Sequence, residues 1–364
     1  MLTSSDLQSD LRKLLLKLQE SVKLDHLYAL TDDNAVLQHA KFSIPAKKEG
    51  YTTDDNSRAL VLAAKAQKLW PSKKLTGFQR KVLSFLLLMQ ADDGRFHNLM
   101  DFSRRIVDQA AEGDHLGRSI WSASTVINSE LPEGLKNPAR HIFDCALPWA
   151  IKSNFLRTKA YACLGLAERL KGDRAKLATV LDEVATDLLH EFDKTSTKDW
   201  AWFENTLTYD NARLSQALFA AYDALRKEKF LVAAERSLVF LLRATTRNDL
   251  FVPIGSNGWY TKGGKAAEYD QQPIDAGAMI ETAALAYKIT GQKIYERAFR
   301  HAVGWFFGFN TRGVTVYDSA TGACYDGITP SGLNLNQGAE STLAFLLGAA
   351  SAIENLGDGF NSKG

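Results

Sequence analysis

Apolar residues recur along this chain at the three- and four-residue spacing of α-helices almost from end to end, and few segments alternate as strands do. The pattern predicts twelve long helices, over 5–23, 54–70, 74–90, 113–129, 136–151, 153–171, 173–193, 209–226, 228–244, 273–290, 292–308 and 336–356. They are of two kinds. One kind carries a single apolar stripe with charges opposite, as in Leu231, Ala234, Leu238, Leu241 and Leu242, or Tyr295, Phe299, Ala302, Val303 and Phe306. The other is apolar almost all round after a polar start, as over 59–64, 217–221, 276–286 (interrupted by Glu281) and 343–350. A helix of that second kind must be enclosed on every side.

The two kinds alternate, so the all-round apolar helices are expected to form an inner ring and the striped ones an outer ring. Six such hairpins closing on themselves make an all-α, (α/α)6 toroid, one domain over residues 1–364, with the N-terminal helix 5–23 closing the outer ring. Connections into inner helices are the long ones, 91–112, 194–208, 245–272 and 309–335, and so gather on one face. Loops held by a rigid scaffold are where binding chemistry usually sits.

Composition narrows the partner. Hydrophobic residues are 45% of the chain and charged residues 24%, enough for a large core. The 44 Lys and Arg against 42 Asp and Glu leave a net charge of only +2 with no basic block, which argues against nucleic acid or an anionic membrane as partner. Cys145, Cys163 and Cys324 show neither metal-ligand spacing nor a disulfide pattern, the first residues lead into an amphipathic helix, and no apolar run approaches a membrane span. A cytoplasmic location is expected. No HExxH, P-loop or dinucleotide fingerprint occurs, so neither a metal nor an organic cofactor is expected.

The clearest motif is an internal echo. Asp55-Asn56-Ser57-Arg58 and Asp210-Asn211-Ala212-Arg213 both read Asp-Asn-x-Arg at the start of an inner helix, three hairpins apart. In a ring of six, three steps is half a turn, which would set Asp55 and Asp210 across the mouth from each other. The plainer alternative is that each Asp caps its helix and each Arg makes an internal ion pair. Further acids enter the same face: Asp114, Glu204, Asp270, Asp275, Asp326 and Glu340. Trp121, Trp200, Trp202, Trp259 and Tyr260 lie on or just after these loops, and flat aromatics beside polar groups suit the apolar faces and hydroxyl rim of sugars.

Several stretches taken together resemble a bacterial group of six-hairpin, glycosidase-like proteins whose members are often labelled "glycosyltransferase". These are Leu37-Gln38-His39-Ala40, Gly50-Tyr51-Thr52-Thr53-Asp54-Asp55-Asn56-Ser57-Arg58, Trp202-Phe203-Glu204, Leu207-Thr208-Tyr209-Asp210-Asn211-Ala212-Arg213, Asp270-Gln271-Gln272-Pro273 and Asn336-Gln337-Gly338-Ala339-Glu340-Ser341. The resemblance spans about Leu27 to Ala350. It implies the six-hairpin glycosidase fold and a carbohydrate substrate. The transferase label fits poorly with the absence of a nucleotide-binding α/β pattern.

The resulting expectation is an inverting glycoside hydrolase acting on an oligosaccharide, with Asp55 and Asp210 as the acid–base pair and Glu204 and Glu340 as the next candidates. Asp54, Asn56, Arg58, Trp121, Trp200, Trp202, Asn211, Arg213, Trp259, Tyr260, Gln272 and Asp275 are expected to bind substrate. A sugar isomerase or epimerase on the same fold is the alternative reaction, although only His115 is placed for its proton transfers. A non-catalytic carbohydrate-binding toroid is the third reading.

Overall fold

The computed structural model describes residues 2–170 and 175–361. The chain opens with α1 (Ser4–Gln8), α2 (Leu11–Ser21) and α3 (Asp25–Ala29). It then runs through α4 (Thr53–Leu69), α5 (Lys73–Met89), α6 (Asp114–Ile127), α7 (Glu133–Lys152), α8 (Leu156–Arg169), α9 (Ala175–Thr195), α10 (Ala212–Leu225), α11 (Glu228–Thr245), α12 (Pro273–Thr290), α13 (Lys293–Phe306) and α14 (Ala339–Asn361). From α4 onward each even-numbered helix packs on the next, and α14 packs back on α4. The odd-numbered helices α5 to α13 lie against their hairpin partners, and α2 lies against α14 as the sixth outer member. This is an (α/α)6 toroid.

The pattern of each helix explains its place. In α12 every residue from Pro273 to Ala284 is buried, Glu281 included, whereas α13 buries one side and leaves Arg297 to solvent. Pro273, with its ring-fixed φ, starts α12, and Gly291 ends it at φ 69°, a left-handed conformation that costs glycine least. Close ring contacts demand small residues: a Cβ on Gly277 would stand 2.4 Å from the carbonyl oxygen of Ala344 across the α12–α14 contact.

The N-terminal helix expected over 5–23 is two helices. Asp10 accepts the Lys13 N–H at 3.0 Å, which caps a new helix, while the hydroxyl of Ser9 donates to the Asp6 carbonyl at 2.7 Å. The outer-ring role falls to α2, whose Leu14 and Leu18 are fully buried, each contributing roughly 1.5–3 kcal/mol.

The long connections carry short antiparallel ladders that the periodicity does not predict. Two of them tie neighbouring loops together: Tyr51–Thr52 pairs with Leu99–Met100, and Thr206–Leu207 with Tyr260–Thr261. They brace the face on which the inner helices begin. Among the described residues no helix is long and apolar enough to cross a membrane.

Candidate active site

The inner helices all start on that face, and the starts of α4, α6, α8, α10 and α14 border a cavity of about 360 Å³. It is lined by Asp54 and Arg58 of α4, Gly113, Asp114 and Arg118 at the start of α6, Phe155 before α8, Tyr209 before α10, and Glu340 of α14. Three carboxylates and two guanidiniums therefore share one mouth. Side-chain exposure ranks Glu340 first at 43%, then Asp54 at 23% and Asp114 at 17%.

Beneath the mouth lies a buried network of ions. Arg118, 2% exposed, donates to Asp54 and stands 3.5 Å from Asp210 and 3.8 Å from Asp114, so a single guanidinium joins α4 and α10 across the ring. Tyr161 of α8 donates its hydroxyl to Asp210 and lies under the Arg118 guanidinium, 4.5 Å from ring centroid to Cζ. Burial alone would raise the carboxyl of Asp210. The guanidiniums of Arg213 and Arg118 and the Tyr161 bond outweigh it and hold the group below its ordinary range. Asp54 follows the same balance, with burial outweighed by Arg118 and Arg58.

The echoed motif makes the same local construction twice. Arg58 donates back to Asp55 at 2.9 Å and across to Glu340 of α14 at 2.8 Å; Arg213 stands 3.3 Å from Asp210 and donates across to Glu281 of α12 at 2.5 Å. Asn56 clamps the preceding chain through Val36 and Thr52, and Asn211 does so through Thr208. Each copy thus ties a loop to a helix start and that helix to a ring neighbour. Asp55 also exchanges hydrogen bonds with Thr52, whose side chain caps α4. Burial pushes its carboxyl up to about 6, against the pull of Arg58. Asp210 differs in backbone: its φ of 50° delays α10 until Ala212, later than the predicted start at 209.

As an acid–base pair, Asp55 and Asp210 meet a steric correction. Asp210 is completely buried and enclosed by Tyr161, Arg118 and Arg213, so no substrate atom can reach it; Asp55 sits behind Arg58 at 6% exposure. Glu340 lines the mouth. Glu204 pairs with Arg157 at 3.1 Å beside it, and the Arg157 guanidinium covers the Tyr209 ring. Gln272 precedes α12 without a side-chain cap bond.

The expected aromatic platform is corrected too. Trp202 is fully buried against Phe203 and Phe240, and Trp200 packs on Phe240 and Tyr260 while donating to the Glu204 carbonyl at 2.7 Å. Tyr260 faces a groove on the outside of α11, away from the mouth, and Trp259 packs against the core beside it. Trp121 stacks on Tyr161 in the interior. Trp200 and Trp202 fill the space under a long loop. Trp202→Ala should accordingly cost about 3–5 kcal/mol in urea unfolding, and a cost under 1 kcal/mol would mean the ring is not packed as described.

Asp275 is the other perturbed acid. Its Oδ1 accepts from the backbone and side chain of Asn211, at 3.3 and 3.2 Å, while its buried Oδ2 has no partner among the described residues. Burial and the neighbouring charge of Asp210 push this carboxyl up to about 7. A carboxyl raised in the folded state binds its proton more tightly than in the unfolded chain, so its stabilising contribution is present below the unfolded value and is lost as pH rises through 7. Asp275→Asn keeps an acceptor for Asn211 without the charge. Its melting temperature should gain on the parent's progressively from pH 5 to pH 8, and a difference independent of pH would show that Asp275 stays ionised throughout.

Arg118, Arg157, Tyr161 and Tyr209 are the residues sequence reasoning missed. A signal existed. Arg58, Arg118, Arg157 and Arg213 each sit within the first turns of an inner helix, where the helix dipole disfavours a cation. Four such arginines in largely apolar helices require acids to meet them. His115, by contrast, is buried with Nε2 3.0 Å from the Phe96 carbonyl, and it does not line the mouth.

No protein-family model matches the chain, and no curated protein does either. Solved structures do. A D-mannose isomerase is 12% identical with a TM-score of 0.75, covering 98% of this chain and 100% of its own. The cellobiose 2-epimerase of Bacillus thermoamylovorans is 9% identical with a TM-score of 0.73, covering 96% and 99%. The α-mannanase of Bacteroides thetaiotaomicron is 12% identical with a TM-score of 0.61, covering 98% and 99%. What they share with this chain is the six-hairpin toroid. All three are carbohydrate-active enzymes by name, and they divide between isomerising and hydrolysing sugars.

Proposed function

We propose that the protein is a glycoside hydrolase acting on an uncharged sugar chain seated in the mouth of the ring. The observation that carries this reading is that Asp54, Asp114 and Glu340 line one cavity, with no histidine among its described lining residues. Hydrolysis of a glycosidic bond needs one carboxyl to protonate the leaving oxygen and a second to activate water. Glu340, the most exposed of the three, is assigned as the acid that reaches the leaving group at the rim. Asp114 is assigned as the base, oriented by the 2.6 Å hydrogen bond that it accepts from Tyr209. Asp54, held ionised by Arg118 and Arg58, stabilises the positive charge that develops on the sugar ring. Three acids against two arginines make the mouth unfavourable for sugar phosphates and uronates.

One observation favours a second reading, sugar isomerisation or epimerisation. Burial and the adjacent Asp114 hold the proton on Tyr209, and this hydroxyl–carboxylate pair in the mouth can exchange a proton with carbon. One experiment separates the two. Gluco-, manno- and galacto-oligosaccharides and their monosaccharides are incubated with the protein in D2O and followed by proton NMR. New reducing ends support hydrolysis, and their first anomeric form reports inversion or retention. Deuterium entering beside the carbonyl without chain shortening supports epimerisation. Neither change across the panel would leave a binding toroid.

A further inference from the structure

A second cavity, of about 300 Å³, opens at the opposite end of the ring among the C-terminal halves of the inner helices. Buried polar groups form its inner wall. Gln216 of α10 and Trp121 of α6, each only 6% exposed, line it. Arg213 donates to Gln216 Oε1 at 2.6 Å, which fixes the amide and leaves its NH2 group with no protein partner among the described residues. Trp121 packs on Tyr161, at 5.8 Å between centroids, and beside the Arg213 guanidinium at 5.1 Å, which itself stands 5.8 Å from the Tyr161 ring; its edge carries the indole N–H. The indole N–H on that edge makes no hydrogen bond to the described protein groups. Glu281, 1% exposed, accepts from Arg213 at 2.5 Å and from Ser351 at 2.9 Å, and its lone pairs complete the wall.

This wall selects by chemistry. Charges of both signs line the cavity in near balance, Glu168, Asp223, Glu281 and Glu354 against Lys65, Lys68 and Lys288, so neither an anion nor a cation gains a strong net field there. A hydroxyl both donates and accepts, so it can meet Gln216, Trp121 and Glu281 without a charge penalty. The volume lies at the small end of ligand pockets, which run from about 300 to 1,000 Å³. We propose that this rear cavity is a second binding site, separate from the mouth, for a small uncharged polyol held by the Trp121 N–H, the Gln216 amide and the Glu281 carboxylate.

The test uses the full chain with 15N-labelled tryptophan, the Trp121 indole signal being assigned by its loss in Trp121→Phe. D-sorbitol and D-glucose are titrated through the millimolar range, with sodium acetate and ammonium chloride as charged probes. A saturable shift of the Trp121 signal with a polyol, unchanged in Asp114→Asn at the mouth, is the expected result. Gln216→Leu should weaken it about tenfold, the effect of one buried hydrogen bond. If that variant does not fold, Ala220→Phe, which narrows the cavity from a half-buried position, should abolish the shift. A Trp121 signal unmoved by both polyols, moved only by a charged probe, or moved equally in the cavity variants would overturn the proposal. Because the readout is binding at Trp121, its outcome is independent of whether the mouth hydrolyses sugar.

Discussion

Arg118→Leu should cost about 3–5 kcal/mol of folding stability, a large part of what an ordinary domain possesses. The guanidinium is 2% exposed and bridges Asp54 on one side of the ring directly to Asp210 on the other. Without it Asp210, fully buried, keeps Arg213 and Tyr161 but loses a counter-charge, and Asp54 loses its charged donor while keeping the Asn98 amide at 3.1 Å. Leucine restores apolar volume and none of the charge. Arg118→Lys should fall between, because an ammonium cannot reproduce the planar fork that serves two carboxylates and rests on the Tyr161 ring. The double variant Arg118→Leu with Asp210→Asn should recover part of the loss, since the uncompensated charge disappears with its partner. Urea midpoints of the four proteins measure this. An Arg118→Leu midpoint equal to the parent's would mean that the network contributes nothing net, its desolvation cancelling its attraction.

That network also explains which parts of the molecule could be read from the chain. The ring was legible because enclosure on all sides leaves no room for a polar face: α12 was expected over 273–290 and runs Pro273–Thr290, marked at its ends by Pro273 and Gly291. The opposition of α4 and α10 followed from counting hairpins. What the echo does was not legible. Periodicity places Asp55 and Asp210 near a mouth, yet whether a carboxylate points into solvent or is folded under its own Arg depends on a backbone angle such as the φ of Asp210, and on partners contributed by α6, α8, α12 and α14. The tryptophans failed for a related reason. A long loop over a toroid needs large apolar plugs beneath it, and Trp200 and Trp202 meet that need with the same residue type that a sugar platform would use.

Glu340→Gln and Asp114→Asn should each lower kcat by about 100- to 10,000-fold on a confirmed substrate, the usual consequence of removing a positioned general acid or base. Both changes keep shape and hydrogen-bonding atoms. Both residues are partly exposed, and each change removes only one of several counter-charges from its buried arginine, so the stability cost should stay well below that of Arg118→Leu. Glu340→Gln leaves Arg58 its bond to Asp55, and Asp114→Asn leaves Tyr209 an acceptor. Asp210→Asn provides the contrast. Its carboxylate, fully buried between Arg118 and Arg213, should be missed in the urea midpoint first, and any fall in activity should track the folded fraction. Kinetics per folded molecule, measured beside unfolding for all three variants, therefore distinguish chemistry at the mouth from chemistry at the buried pair. Full turnover in both mouth variants, with a folded and inactive Asp210→Asn, would return the catalytic assignment to the pair on α4 and α10.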